Sequence, residues 1–302
     1  MNPTIALKID VDTDRGTRIG VPNLLRLLLK HEIRATFLFS LGPDNTGRAI
    51  RRIFRPGFLT KVSRTNVVGT YGLKTLLNGV LWPGPKIAKR NKAILRSVAD
   101  RGFEVGIHSH DHFKWQDYVN SLPFHAITKE FSKAMEIFQD VFGQAAQTAG
   151  APGWQANANS LAVYDAANLL YASDCRGTHP FYPKIYNTTF KTLQIPTTLP
   201  TLDELLGRPK FPETQLIDHF LLQLTPKYPN IFTIHAEIEG MSKLHWFDNF
   251  IHIAKQQGIS FKPMIEIAHN YLKQPELIPV CEFIQGSIDG RSGTLAKQGG
   301  SS

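Results

Sequence analysis

Apolar residues recur along the chain in two alternating patterns, one typical of buried strands and one typical of amphipathic helices. Short apolar runs predict strands at residues 5–11, 35–39, 103–107, 231–234 and 259–261. Apolar residues spaced three and four apart predict helices, most clearly at residues 22–30, 127–142 and 244–257. The repeated strand-then-helix order predicts an α/β fold built on a parallel sheet or barrel.

Residues 46–97 interrupt this rhythm with a stretch rich in glycine, proline and basic residues. The segment is too long for an ordinary connection. It holds twelve Lys or Arg and no acidic residue, so the rest of this +9 chain is net negative. Bulky apolar residues are interleaved with the charges, as at an interfacial membrane surface. We expect residues 1–285 to form a single catalytic domain carrying this basic amphipathic insertion, and residues 286–302, rich in Gly and Ser, to form a flexible tail.

The composition fits a globular protein that works in a reducing compartment. The 302 residues are 42% hydrophobic and 20% charged, which allows a substantial core. The two cysteines, Cys175 and Cys281, cannot build a disulfide framework. We recognise neither a signal peptide nor a run of about 20 apolar residues that would span a bilayer. These features predict a cytoplasmic protein that can attach to the membrane surface.

Candidate catalytic side chains stand at the carboxyl ends of three predicted strands. Asp10 and Asp12 close the first strand, and alternate residues of a strand share a face. Residues 108–112 hold three of the chain's 11 histidines, and His235 follows a later strand. Because parallel α/β folds place active sites at this edge of the sheet, we expect these groups to meet. The alternatives are capping aspartates and packed histidines, which explain single motifs but not the convergence.

Such a set of side chains suits a divalent metal ion that activates water. Imidazole is the commonest protein ligand of metals, and two histidines with one carboxylate leave coordination positions open. The ion would polarise a carbonyl group, while the second carboxylate and another histidine move protons. This combination predicts amide hydrolysis, with zinc as the default ion and manganese, cobalt or nickel as alternatives. An iron oxygenase also uses two histidines and a carboxylate, but the additional aspartate and histidine favour hydrolysis.

These motifs resemble those of the polysaccharide deacetylase (NodB-homology) family, which has an aspartate pair, a His-x-x-x-His motif and a late-strand histidine. The resemblance implies a distorted (β/α) barrel of about seven strands. It also implies that Asp12, His108 and His112 bind the metal, that Asp10 is the catalytic base and that His235 is the catalytic acid.

Longer stretches are similar to one branch of the family, whose members deformylate 4-deoxy-4-formamido-L-arabinose carried on undecaprenyl phosphate. They are residues 8–13, 15–17, 39–45, 108–116, 153–154, 173–177 and 233–240. The branch implies a lipid-linked amino sugar substrate. Its free amine would later mask negative charge on lipid A and give resistance to cationic antimicrobial peptides. His110 would not be a ligand, and we infer no protein partner.

The chain departs from the wider family pattern around the base. Val11 splits the usual aspartate pair, and residues 151–154 (Ala-Pro-Gly-Trp) replace an Arg-x-Pro-Tyr motif. The arginine expected to orient Asp10 is therefore missing, and Arg15 and Arg176 are the candidate replacements.

Four further residues are candidates for substrate or supporting contacts. Trp154 could form a wall of the acyl pocket, with ordinary core packing as the alternative. Asp174 is placed to orient His235, and Asp44 or Arg176 to contact sugar or phosphate.

Two competing functions use some of the same features. Deacetylation of an N-acetyl sugar in peptidoglycan or chitin needs the same chemistry, but those polymers lie outside the cell. A basic segment with aromatic residues also suits nucleic acid, which the metal motif does not explain. We therefore expect an anionic membrane surface as the partner of residues 46–97, and no nucleic acid.

Overall fold

Eight parallel strands wind around a common interior in the computed structural model, which describes residues 2–48, 77–80 and 82–301. The strands of the described residues are β1 (Thr4–Val11), β2 (Thr36–Ser40), β3 (Glu104–Ser109), β4 (Thr148–Ala149), β5 (Tyr171–Ala172), β6 (Tyr182–Ile185), β7 (Thr188–Thr189), β8 (Leu193–Gln194), β9 (Asn230–His235), β10 (Ser260–Lys262), β11 (Val280–Gly286) and β12 (Leu295–Ser301).

Helices follow most barrel strands. They are α1 (Val21–Lys30), α2 (Ile87–Asp100), α3 (His112–Tyr118), α4 (Phe124–Phe142), α5 (Ala158–Ala166), α6 (Leu202–Leu205), α7 (Leu216–Leu221), α8 (Leu244–Gln256) and α9 (Met264–Tyr271). Two π-helices, π1 (Gly16–Gly20) and π2 (Ile238–Ser242), follow β1 and β9. The 3₁₀ turns are Val119–Ser121, Pro152–Trp154, Glu213–Gln215 and Pro275–Leu277.

The main sheet has the order β10-β1-β2-β3-β4-β5-β8, and β9 pairs with β1 as well. Its pairings are all parallel. The gap between β8 and β9 is bridged by hydrogen bonds of 3.2 Å from the N–H groups of Thr198 and Leu199 to the Ile231 carbonyl. The predicted distorted (β/α) barrel is confirmed, with β10 as one strand more than the seven expected.

Alternation along β1 separates the outer core from the barrel interior. Its odd-numbered residues pack against the helices. On the opposite face Ala6 packs with Tyr171 and Ile231 inside the barrel. Lys8 and Asp10 continue this inner face and are both buried. Charged groups are almost never fully buried without partners. The partners of Lys8 and Asp10 therefore mark the candidate site, at the carboxyl end of β1.

Close contact between π1 and π2 holds together the loops that follow β1 and β9. A Cβ added at Gly20 would lie 2.0 Å from the carbonyl oxygen of Ala236, and one added at Gly240 would lie 2.8 Å from the Cα of Gly20. Only glycine allows this approach, so the loops that carry Asp12 and His235 are set against each other.

The long amphipathic helices lie where the apolar spacing predicts them. In α4, Ile127, Phe131 and Phe138 are buried against the sheet, and Gly143 ends the helix in the left-handed conformation. The structure ends α8 at Gln256, one residue before the predicted end.

The segment predicted as an insertion at residues 46–97 ends earlier than expected. α2 lies between β2 and β3 as a barrel helix that is kinked at Asn91, and it buries Leu95 and Val98 in the core. Two of its basic residues form ion pairs with the barrel, Arg90 with Asp14 at 3.3 Å and Lys92 with Asp140 at 2.7 Å. Residues 49–76 and 81 lie outside the described residues, so an insertion there remains a prediction.

Residues 295–301, in the segment expected to be a flexible tail (286–302), form the strand β12. β12 pairs antiparallel with β11, in a four-stranded sheet of order β12-β11-β6-β7. Leu295 and Ala296 are buried at its start. A single apolar pair gives no periodic pattern, but pairing with an edge strand satisfies the backbone of this glycine-rich segment.

Gly20→Ala should lower the free energy of unfolding by about 1–3 kcal/mol, since the added methyl group would overlap the Ala236 carbonyl and force π1 away from π2. Urea denaturation followed by circular dichroism measures this. Gly300→Ala is the matched control, because a Cβ there meets nothing within 4 Å. Equal stability of the two variants would contradict the proposed contact.

Candidate active site and metal centre

Three potential metal ligands converge at the carboxyl end of the barrel. Asp12 Oδ1 lies 3.3 Å from Nε2 of His108 and 3.4 Å from Nε2 of His112. One ligand atom from each residue lies within 4.8 Å of the other two. Within the described ranges, Asp12 Oδ1 is buried without a hydrogen-bond partner. A buried carboxylate oxygen facing two imidazole nitrogens fits a cation between them, so these residues can hold a divalent metal ion.

Backbone contacts fix the orientation of His108. Its Nδ1 lies 2.6 Å from the Gly150 carbonyl oxygen, which can only accept, so Nδ1 carries the proton and Nε2 faces Asp12. Burial raises the pKa of Asp12, but His112 and His108 outweigh burial and hold that pKa well below its ordinary value. Burial lowers the pKa of His108, whereas Asp10 and Asp12 raise it, and the net shift is upward. The electrostatics therefore keep Asp12 ionised.

His110 is directed away from this group. Its Nδ1 lies 3.1 Å from Glu130 Oε2, and Lys114 donates to Glu130 Oε1 at 2.7 Å. Burial opposes ionisation of Glu130, but His110 and Lys114 lower its pKa to about 2. Asp111 caps α3 by accepting from the Lys114 N–H at 3.0 Å. The segment between the two potential ligands is thus fixed to α3 and α4.

Asp10 lies beside the three potential ligands, and its two oxygens have different neighbours. Its Oδ2 is 3.6 Å from Lys8 Nζ, and its Oδ1 is 3.9 Å from His108 Nδ1. Oδ1 is buried and accepts no hydrogen bond from any residue that the structure describes. The β1–β9 register places Asp10 directly opposite His235.

His235 is held by its backbone, and its ring stays close to Asp12. Its N–H donates to Glu239 Oε2 at 2.8 Å, and its nearby ring is one of the groups that lower the pKa of Asp12. Its Nδ1 is buried with no partner among the residues described. Burial raises the pKa of Glu239 to about 8.

Asp174 has a different set of partners from the one predicted. It accepts from the Ala151 N–H at 2.8 Å and from Gln194 Nε2 at 2.9 Å, and neither bond involves His235. Burial raises the pKa of Asp174 to about 6, against the opposing effects of Gln194 and Lys8. Asp174 therefore fixes the loop that begins at Ala151.

Glu237 is a residue of this site that sequence reasoning missed. Its Oε1 accepts from the N–H groups of Asp12 and Thr13, at 3.1 and 2.9 Å, and from the Thr13 hydroxyl at 2.7 Å. Gly16 makes room for it, since a Cβ there would lie 1.9 Å from the same oxygen. Burial and the adjacent Asp12 raise the pKa of Glu237 well above its ordinary value. The signal was an acidic residue two positions after His235, next to a strand end.

Trp154 is held in a strained, buried position beside Lys8. Its φ of 54° lies in the left-handed region, which is costly for a bulky residue and is often found at functional sites. Its Nε1 donates to Thr197 Oγ1 at 3.1 Å. The guanidinium carbons of Arg176 and Arg291 lie 5.0 and 4.4 Å from the ring centroid, and Lys8 Nζ lies 5.7 Å from it.

The two arginines around Trp154 share one carboxylate. Glu204 Oε1 accepts from Arg176 at 2.7 Å and from Arg291 at 2.8 Å. Arg176 also donates to the carbonyl oxygens of Leu199 and Thr197. Its donors are thus directed to Glu204 and the backbone, which argues against Arg176 as the group that orients Asp10. Arg291 lies in the segment expected to be a flexible tail, so its place in this wall was not predictable.

Asp44 organises the neighbouring loops. Its Oδ2 accepts from the Asp14 N–H at 3.0 Å, and its Oδ1 accepts from the Thr46 hydroxyl at 2.7 Å. It is fully buried, so the contacts observed for it are with the protein itself. Arg15 is partly buried and directly precedes π1.

Comparison with known proteins assigns the chain to a family. The model of the polysaccharide deacetylase family matches residues 3–172. The chain belongs to the polysaccharide deacetylase family. This membership confirms the predicted hydrolase of amide bonds and is consistent with the parallel barrel and its strand-end aspartates and histidines.

Two curated relatives of this deacetylase-family chain are similar along nearly their whole length. Both are named probable 4-deoxy-4-formamido-L-arabinose-phosphoundecaprenol deformylase ArnD. The protein of Shewanella sediminis (strain HAW-EB3) is 37% identical over 295 residues, which is 97% of this chain and 94% of the relative. That of Wigglesworthia glossinidia brevipalpis is 36% identical over 286 residues, which is 94% of this chain and 98% of the relative.

Solved structures agree on the fold. A probable polysaccharide deacetylase from Pseudomonas aeruginosa PAO1 superposes with a TM-score of 0.59 at 14% identity, covering 90% of this chain and 92% of that one. Among the helices of the described residues, none is both long enough and apolar enough to cross a membrane.

Glu239→Gln should change how stability depends on pH. The wild-type side chain has an ordinary pKa of 4.5 when unfolded and about 8 when folded, so it ionises first in the unfolded state. Its burial therefore makes the wild type progressively less stable as the pH rises from about 4.5 to about 8. The variant should gain stability relative to the wild type across that window, measured by urea denaturation at each pH. A constant difference between the two proteins would show that Glu239 is not a buried neutral acid.

Proposed function

We propose that this protein is a metal-dependent deformylase that hydrolyses the N-formyl group of 4-deoxy-4-formamido-L-arabinose carried on undecaprenyl phosphate. The observation that carries the proposal is the convergence of Asp12, His108 and His112 beside Asp10 and His235. Two relatives that share 36–37% identity over almost the whole chain are named for this reaction.

In this proposal Asp12, His108 and His112 hold the divalent ion, as the free carboxylate oxygen and the two imidazole nitrogens suggest. A bound divalent ion supplies Lewis acidity toward the formyl oxygen and lowers the pKa of water. We propose zinc, the usual ion of histidine-rich hydrolytic sites, with manganese, cobalt or nickel able to replace it.

Asp10 and His235 carry out the two proton transfers. Asp10 Oδ1 accepts the proton of the attacking water, because it is the oxygen that is not directed at Lys8. His235 donates a proton to the sugar nitrogen as the C–N bond breaks, releasing formate and the free amine. Glu239 holds the His235 backbone during this step, and Trp154 walls the acyl side of the site.

The product explains the biological role that we propose. The free amine of the sugar is cationic at neutral pH. Once transferred to lipid A, it offsets negative charge and weakens binding of cationic antimicrobial peptides. The substrate lipid places the reaction at the cytoplasmic face of the bacterial inner membrane, with this protein attached peripherally.

The purified protein should release formate from the lipid-linked formamido sugar, and should release acetate from the acetyl analogue more slowly. A formyl carbon carries only hydrogen, so a pocket shaped for it need not admit the methyl group of an acetyl. Formate and acetate are measured separately by enzyme-coupled assay. Faster acetate release would favour the alternative function, deacetylation of another N-acylated sugar.

Matched variants separate the roles in the same assay. His112→Ala should lose both bound metal and activity while keeping the melting temperature of the metal-free protein. His235→Ala should keep the metal and lose about 10²–10⁴-fold in kcat. The control is His252→Ala, on the outer helix α8. Full activity of a metal-free His112→Ala protein would overturn the proposed centre.

We further propose that the basic apolar segment at residues 46–97 docks the protein on anionic lipid. The support from the structure is confined to its edges, where Val80 and Trp82 are half exposed. Part of α2 is already paired with the barrel, so the docking charges are those of residues 51–74. Each Lys or Arg near an anionic surface contributes about 1 kcal/mol.

Reversing Arg51, Arg52 and Arg55 to Glu should sharply reduce co-sedimentation with phosphatidylglycerol vesicles. The control reverses three basic residues at other positions, Arg101, Lys227 and Lys273, and should bind like the wild type. Binding that is insensitive to the first triple reversal, or equally sensitive to both, would reject the docking proposal.

A further inference from the structure

A buried lysine lies beside Asp10, in a chain that lacks the usual motif arginine. Lys8 is 0% exposed on the inner face of β1, two residues before Asp10. An ammonium group removed from water is costly unless it is paired and hydrogen-bonded. Its retention inside an otherwise apolar strand therefore calls for a specific partner.

The contacts of Lys8 are directed at the base and its surroundings. Nζ donates to the Ser173 carbonyl at 3.0 Å and lies 3.6 Å from Asp10 Oδ2. It also lies 5.7 Å from the ring centroid of Trp154. The carbonyl and the aromatic ring fix the position of the ammonium group, and the ammonium group in turn attracts one oxygen of Asp10.

The loop that replaces the usual arginine motif leaves space for this side chain. A Cβ added at Gly150, the residue before that motif, would lie 2.5 Å from Leu38 Cδ1, 3.1 Å from Lys8 Cε and 3.2 Å from Lys8 Nζ. The Gly150 carbonyl meanwhile accepts from His108. One glycine thus both orients a potential metal ligand and makes room for the lysine.

We propose that Lys8 is the positioning residue of the catalytic base, holding Asp10 Oδ2 so that Oδ1 faces the attacking water. This inference rests on the proposed role of Asp10 as the base. Arg176 does not compete for the role, because its guanidinium is bound to Glu204 and to backbone carbonyls. Lys8 does not touch the substrate; it acts through Asp10.

Lys8→Met keeps the length and removes the charge. It should lower kcat for formate release at least about 10-fold, but by no more than the 10²–10⁴-fold that a general base contributes. KM and metal stoichiometry should stay within about twofold of the wild type, because Lys8 contacts neither the substrate nor the metal group. The exposed Lys129→Met is the matched control and should leave all three values unchanged.

A double-mutant cycle distinguishes positioning from a general structural effect. In an Asp10→Asn background, Lys8→Met should cost nothing further, since its target has already been lost. An unchanged kcat in Lys8→Met, or losses that multiply in the double variant, would overturn the inference.

Crystal structures of the wild type and Lys8→Met make the outcome independent of the substrate. The inference expects the Asp10 carboxylate to rotate in the variant while Asp12, His108 and His112 stay in place. An unmoved Asp10 would overturn it. If the wild type releases no formate, the proposed function fails, but the position of Asp10 in these structures still tests the role of Lys8.

Discussion

Asp12 presents a buried carboxylate to two imidazoles, and much of the polar structure around the barrel mouth serves to keep it there. Its Oδ1 is shielded from water, so His108 and His112 stabilise the charge of Asp12, and a cation bound between these residues would stabilise it further. Two of the three potential ligands are fixed by neighbours: Glu237 accepts a hydrogen bond from the backbone of Asp12, and the Gly150 carbonyl accepts one from His108. These contacts hold Asp12 and His108 in position for a metal ion, so this part of the site is preorganised.

A second layer of buried titratable groups surrounds these potential ligands. Glu237 and Glu239 are acids whose pKa values are raised by burial. While they remain neutral, they add no negative charge to the site. Neutral carboxyl groups can brace backbone N–H groups beside an ionised aspartate without repelling it. Lys8 has the opposite character, because it is a cation and lies beside Asp10. Charged groups thus adjoin Asp10 and Asp12, while the two neutral acids accept hydrogen bonds from the nearby backbone.

The sequence was sufficient to predict the barrel and the convergence of Asp10, Asp12 and His235, because strand periodicity and the geometry of parallel sheets are local rules. The apolar spacing in α4 likewise located a core helix. Side-chain partners across the barrel were not predictable. Asp174 was paired with His235 on the basis of residue type, whereas the fold carries it to the Ala151 loop.

Lys8 and Arg291 show two different reasons why sequence reasoning stopped short. The strand pattern at residues 5–11 did not single out Lys8, because the partner of this lysine depends on which strands adjoin β1, and Ser173 comes from a distant part of the chain. Arg291 lies between glycines in a segment without apolar periodicity, so only the pairing of β12 with β11 brings it to Trp154. Secondary-structure propensity and apolar periodicity are properties of a segment by itself. A segment that is ordered mainly by pairing with a distant strand shows little of either.

The C-terminal strands therefore belong to the architecture of the site as well as to the edge of the fold. Trp154 is strained, and strain of this kind persists only where neighbouring groups over-determine the conformation. Arg176 and Arg291 provide that constraint by packing on the ring while sharing Glu204. Because Lys8 also lies over this ring, Trp154 connects the surroundings of Asp10 with the loop between β11 and β12, which carries Arg291. In a chain that lacks the usual motif arginine, Lys8 is thus the cation beside Asp10, and Trp154 and the loop before the last strand enclose it.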